Sequence, residues 1–260
     1  MSTQGPPPDP VARLQLWPTV TEGLNLLLAN LGAMAKLALW PLLLSMAADF
    51  ALTATFWGTP LYGVLRLLCL NLIWVLFAVG WLRLLLLQDR RVIRVFPQLT
   101  PDYRRFTFYT LVIALFDLAL QLGRRYLDDV PDDFGAPGLE YWLAFLAISF
   151  VKLRFSFVYP AVAAGETYSL ALSWRHSAGS SLALFGAQLI AVFIPLILLS
   201  YLANALAASP DAFVQILIWV GSYAVMWPLE AAYLAILVVA FRTCTGWVPP
   251  PDKAIVERFE

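Results

Sequence analysis

The chain is written in long apolar blocks separated by short polar ones. A helix that crosses ~30 Å of hydrocarbon at ~1.5 Å per residue needs about 20 mostly apolar residues. Six segments meet that length: 37–56, 61–87, 106–123, 140–161, 181–206 and 212–241. A backbone in lipid must satisfy its own hydrogen bonds, which predicts helices. Barrel strands would alternate sides every second residue, and a run such as Leu84-Leu85-Leu86-Leu87 does not. The expected fold is all-α, a polytopic bundle of six transmembrane helices over 18–243. It is flanked by a disordered Pro-rich cytoplasmic tail (1–17) and a cytoplasmic C-terminal tail (244–260).

Two further stretches carry helical periodicity without the length or uniform apolarity of a span. Thr19-Val20-Thr21-Glu22 fits a capping box with Pro18 beside it. Behind it Val20, Leu24, Leu27, Leu28, Leu31 and Met34 share one side of the wheel, which predicts an amphipathic helix along the leaflet. Thr167 to Ser180 is similar, with Leu170 and Trp174 on one side and Ser169, Ser173 and His176 on another. Each stretch precedes a span with an internal proline, Pro41 or Pro195, and the strings Asn71–Val75 and Ile216–Val220 follow. That order hints at a parallel internal repeat.

Composition requires the membrane. Apolar residues make up 61% of the 260 and charged residues 13%, with a mean hydropathy of +0.75. A soluble chain of this size could not cover itself with polar surface. Lys and Arg number 17 against 17 Asp and Glu, so no basic surface for nucleic acid is expected. The start of the chain, Met-Ser-Thr-Gln-Gly-Pro, has neither the basic nor the apolar region of a secretory signal. Cys69 and Cys244 are expected to be unpaired thiols. Charges between the spans set an orientation. Arg90, Arg91, Arg94, Arg104, Arg105, Arg175, Arg242, Lys253 and Arg258 fall on one side. Asp128, Asp129, Asp132, Asp133 and Asp211 fall on the other, outweighing Arg124 and Arg125. This predicts a multi-pass protein of the bacterial inner membrane with both termini cytoplasmic.

Ionisable residues inside the spans are expensive and call for partners. Depth counted from the span ends pairs Asp49 with Arg66, Asp117 with Lys152 or Arg154, and Glu230 with Arg83. These pairs either fix helix order or line a path for a proton or solute; the cations could also snorkel to the interface. Pro160 and Pro228 are candidate helix breaks. Catalytic constellations are sparse. His176 is the single histidine, so no multi-histidine metal site can form. Ser173 and Ser177 adjoin it without a nucleophile elbow, and Trp174, Arg175 and His176 read better as interfacial contacts. No nucleotide-binding glycine motif occurs, the four loop aspartates lack calcium-loop spacing, and no cofactor is expected.

Gly80-Trp81-Leu82-Arg83-Leu84-Leu85-Leu86-Leu87 resembles the Trp-His-Arg-x-x-Leu-Leu signature of an uncharacterised bacterial family of six-helix inner-membrane proteins. That family is loosely akin to the membrane domain of some glycerophosphodiester phosphodiesterases. Arg154-x-x-x-x-Tyr159-Pro160-Ala161-x-Ala163-x-Gly165 with Ser173-Trp174-Arg175 is similar to its second signature, and Phe241-Arg242 to its closing motif. The likeness spans roughly 20–243, and Leu82 stands where the family has histidine. It implies the six-helix topology and importance for Arg83, Arg154 and Pro160, and no activity. The expected function is therefore a non-catalytic accessory, assembly or scaffold subunit, partnered by the lipid bilayer and other membrane-protein subunits. The alternative is a transporter of a small solute or lipid that uses the intramembrane charges. A transporter should show a polar cavity reaching those charges, and a scaffold should bury them dry behind a small-residue face such as Ala203, Ala205, Ala207 and Ala208.

Overall fold

The computed structural model describes residues 13–88, 101–127, 139–207 and 211–250. Among them there are helices and no strands. In chain order these are α1 (Leu16–Ala29), α2 (Leu31–Phe56), α3 (Pro60–Leu87), α4 (Pro101–Leu127), α5 (Leu139–Phe155) and α6 (Val158–Ala163), then α7 (Leu170–Ser177), α8 (Ser181–Gln188), α9 (Ile194–Ala207) and α10 (Ala212–Thr245). A 3-10 turn joins α7 to α8, and a π-helical turn, Leu189–Phe193, joins α8 to α9. Five described stretches are long and apolar enough to cross a bilayer: Leu31–Phe56, Leu61–Leu87, Leu143–Ala163, Leu170–Leu199 and Phe213–Thr245. This is a multi-pass membrane protein. The third expected span is a helix, α4, of 27 residues. It falls outside the five because its described residues take in Arg104 and Arg105 as well as Asp117.

Burial sorts the spans. In an 18-residue apolar stretch of each, 67% of the α3 residues and 61% of the α10 residues are buried, against 22% in α2 and in Leu170–Leu199. The first two form the axis and the others the rim. The rim turns Leu39, Trp40, Leu43, Phe50, Leu198 and Leu202 outward, a surface that only hydrocarbon or another apolar partner can cover. Along the axis Ala231, Ala232, Ala235 and Ala240 of α10 and Ala161, Ala163 and Ala164 around α6 are fully or almost fully buried. Small side chains let backbones approach, which is how helices gain packing without a hydrophobic driving force.

Prolines act differently at each site. The break between α5 and α6 lies at Ser156–Phe157, three to four residues before Pro160. Pro160 has no N–H to offer the Ser156 carbonyl, which accepts from the Tyr159 N–H instead at 3.0 Å. Pro228 does not break its helix: α10 runs unbroken through it. Pro195 follows the π turn, whose wider hydrogen-bond ring accommodates the donor the proline lacks.

The first amphipathic stretch also differs from expectation. α1 starts at Leu16, and no side chain caps it. Thr19 lies inside the helix, its hydroxyl donating to the Gln15 carbonyl at 2.6 Å, so the capping box does not form. The helical body therefore begins inside the expected tail, where Leu14 is buried and its N–H donates to Ser180 Oγ at 3.1 Å. At the other end α10 continues past residue 243 to Thr245 and stops at Gly246, whose φ of 64° suits glycine. Residues 1–12 and 251–260 lie outside the described residues, as do Arg90, Arg91 and Arg94 and the aspartates at 128, 129, 132 and 133. The proposed repeat does not hold in register. Trp74 lies level with Glu230, eleven residues and ~16 Å along α10 from Trp219.

α1 packs on α10 through Gly23. A Cβ there would lie 2.6 Å from Ile236 Cγ1 and 3.0 Å from the Ile236 backbone. Gly23→Ala is expected to destabilise the protein by about 1–3 kcal/mol through overpacking. Gly32→Ala, which meets nothing within 4 Å, should leave thermal unfolding in detergent unchanged or slightly raised.

Candidate functional site

Chemistry-bearing residues gather in two places. The first is the end of the bundle where α3 and α6 finish. α6 ends in a Schellman motif: Gly165 has φ 78°, its N–H donates to the Val162 carbonyl at 3.0 Å, and the Glu166 N–H to Ala161 at 2.9 Å. The next carbonyl, Ala163, accepts from Arg83 Nε at 3.2 Å, while Arg83 Nη2 pairs with Asp102 Oδ2 at 2.9 Å. Arg242 of α10 reaches across to α3 and donates to the carbonyls of Leu85 (2.6 Å) and Leu86 (3.2 Å). Arg154 lies 3.7 Å from the Trp174 ring centroid and donates to the Trp174 carbonyl at 2.7 Å. Ser173 and Ser177 turn inward and donate to the Arg154 carbonyl at 2.8 and 3.2 Å. Three arginines thus donate to carbonyls in the last turns of helices, where intrahelical donors run out.

The second place is a cavity of about 760 Å³ in the other half of the bundle. It is lined from α2, α3, α4, α5, α6, the π turn, α9 and α10, and it holds Asp49, Arg66, Asp117, Lys152 and Glu230 together. Arg66 Nε donates to Asp49 Oδ1 at 2.5 Å. Lys152 Nζ donates to both oxygens of Asp117, at 2.6 and 2.7 Å. Glu230 Oε2 accepts from Trp74 Nε1 at 3.0 Å. Trp219 and Tyr223 stand beside Asp49, and Tyr159 and Tyr233 complete the deeper wall.

Of the expected pairs, Asp49 with Arg66 and Asp117 with Lys152 are brought together. Arg154 does not reach Asp117; its guanidinium is stacked on Trp174. Arg83 and Glu230 do not meet either. α10 extends fifteen residues beyond Glu230, which places that carboxylate ~22 Å from the helix end rather than at the boundary, whereas Arg83 is four residues from the end of α3. His176 Nδ1 shares a 2.7 Å hydrogen bond with the Tyr168 hydroxyl, and burial raises the Tyr168 phenol well above its ordinary value. Arg175 and Trp174 are exposed. Cys69 and Cys244 are free thiols.

Sequence reading missed the aromatic half of the cavity. Trp219, Tyr223, Glu230 and Tyr233 fall on one face of α10 at helical spacing, and a wheel of that helix would have shown a polar-aromatic stripe. Gln188 was also missed. It is fully buried just before the π turn and donates from Nε2 to the Tyr233 carbonyl at 3.1 Å. No protein-family model, curated protein or solved structure matches the chain.

Asp117→Asn alone is expected to lower stability in detergent by about 1–3 kcal/mol, since it leaves the Lys152 ammonium without its counter-charge. Adding Lys152→Met should restore part of that loss, whereas adding Arg154→Met should not. Equal behaviour of the two double variants in a thermal melt would remove the pairing as a source of stability.

Proposed function

We propose that this chain crosses the bilayer six times and uses its intramembrane charges to hold an amphipathic molecule, a small solute or a lipid, inside the bundle. The crossings are α2, α3, α4, α5–α6, α8–α9 and α10. α4 supports the sixth crossing by its length, ~40 Å at 27 residues. The arginine-rich end supports a cytoplasmic position for both termini in a bacterial inner membrane. Kinship with six-helix inner-membrane proteins rests on the short arginine motifs alone.

The observation that carries this reading is the cavity. Five ionisable residues from five helices face one chamber of a volume typical of small-molecule sites, within a wall that is largely apolar and aromatic. A scaffold that used the same charges only to order its helices would have no reason to leave that space between them. A carrier or binding role accounts for both the charges and the opening, and no catalytic role is proposed.

The accessory-subunit reading retains one specific observation. α2 presents Leu39, Trp40, Leu43 and Phe50 outward, a face that a neighbouring subunit fits as well as lipid does. Its small-residue candidates Ala203, Ala205, Ala207 and Ala208 lie outside the residues whose side chains are described.

Ser149 of α5 lines the chamber. Ser149→Trp should fill part of it and abolish a stoichiometric amphipath that co-purifies with the wild type in mild detergent, as read by native mass spectrometry. Wild-type protein without any such molecule, or a variant that retains it in full, would contradict the reading.

A further inference from the structure

The chamber has a charge imbalance that points to a ligand class, an inference that rests on the chamber being a binding site. Its charged lining comprises three carboxylates, Asp49, Asp117 and Glu230, against two cations, Arg66 and Lys152. The two cations each hold a carboxylate already, at 2.5 Å and at 2.6 and 2.7 Å. Glu230 has no ion-pair partner among the described residues and accepts one hydrogen bond, from Trp74. An ionised carboxylate at this depth is costly without a positive charge of its own, and the cation that acts on it from a distance, Lys152, is already held by both oxygens of Asp117.

The walls around Glu230 are the kind that receive one. Trp74, Tyr159 and Tyr233 line the same part of the chamber, and the Trp74 and Tyr159 rings pack edge to face with centroids 5.4 Å apart. Aromatic faces attract cations through the negative centre of the ring, most strongly where water is excluded, and a carboxylate beside them adds the full opposite charge. A bound anion would instead have to share Arg66 or Lys152 with the aspartate each already holds, bringing a second negative charge beside the first. A neutral molecule would leave Glu230 as it is.

We propose that Glu230 and its aromatic walls form a subsite for the ammonium group of an amphipathic ligand, whose apolar part occupies the rest of the chamber. The group is the headgroup of an amine-bearing lipid or the head of a free organic ammonium solute. The two sources share one chemistry, because both present a methylated or primary ammonium on an apolar body. The chamber is of a size for a headgroup or a drug-sized solute.

The full-length protein in neutral maltoside detergent, titrated calorimetrically, tests this with three ring-matched probes: benzyltrimethylammonium, benzyl alcohol and benzenesulfonate. The ammonium is expected to bind tightest in the wild type. Glu230→Gln should weaken it about tenfold or more, equivalent to about 1.4 kcal/mol, without changing the affinity for benzyl alcohol. Glu230→Asp, which keeps the carboxylate, should recover part of the loss and guards against a general folding defect in the glutamine variant. Competition by short-chain phosphatidylethanolamine but not phosphatidylglycerol assigns the subsite to a lipid headgroup. Ammonium binding that neither lipid displaces assigns it to a free solute. An ammonium affinity untouched by Glu230→Gln, or benzenesulfonate binding as tightly as the ammonium, overturns the inference. If benzyl alcohol still binds and Ser149→Trp still excludes it, the chamber itself survives that failure.

Discussion

A carbonyl without a donor in hydrocarbon or in dry protein costs several kcal/mol, and this chain ends two helices inside its packed core. α3 stops at Leu87 and α6 at Ala163, and carbonyls in the last turn of each are met by arginine side chains from other helices. Arg242 supplies the donors for Leu85 and Leu86, and Arg83 the donor for Ala163 while holding Asp102. These bonds tie α3 to α10, α6 to α3 and α4 to α3. With the axis held at that end, Trp81 Nε1 reaches the Ala231 carbonyl at 3.0 Å, and higher up Trp74 reaches Glu230. The two helices tied together by the arginines are thus the same two that carry Trp74 and Glu230 into the chamber.

The two halves of the molecule answer the bilayer in different ways. Near the arginines, alanines bring helices together and Phe77, Trp81, Phe157 and Phe241 fill what remains, all of them buried. In the other half the helices part around acids and bases, and the space is bounded by rings rather than filled by them. The π turn stands at this boundary. Its residues Val192 and Phe193 line the chamber, and Phe193 meets Phe145 of α5 edge to face with centroids 5.8 Å apart. Pro195 gives a local cause for the widened turn, so the chamber wall is shaped by a backbone feature as well as by side chains.

Much of the helix plan was legible because bilayer thickness fixes how long an apolar block must be. Asp49 and Arg66 could be matched by depth because a short turn makes their helices antiparallel neighbours. The same arithmetic failed for Glu230, since the end of α10 was set at the last strongly apolar residue while the helix runs on through Arg242, Thr243, Cys244 and Thr245. It also could not decide between Lys152 and Arg154, two residues apart on one helix and therefore on different faces; Trp174 claims the second. The capping box at Thr19 was misread because its residues match the motif while Leu16 and Trp17 already lie in the helix. The function of the arginine motifs was hidden for another reason: a side chain that caps a distant helix leaves no local pattern. Gly165 was visible in the motif, and only the Schellman geometry explains why glycine is required there.

The central claim is that the bundle is sealed where the arginines sit and hollow in the other half. Single cysteines placed at Ala163, fully buried beside Arg83, and at Ser149 in the chamber test it most directly, with Cys69 and Cys244 replaced by alanine and the protein in lipid nanodiscs. Reaction with a small methanethiosulfonate reagent should be orders of magnitude faster at Ser149→Cys than at Ala163→Cys. Equal rates, or faster labelling at Ala163→Cys, would contradict the account.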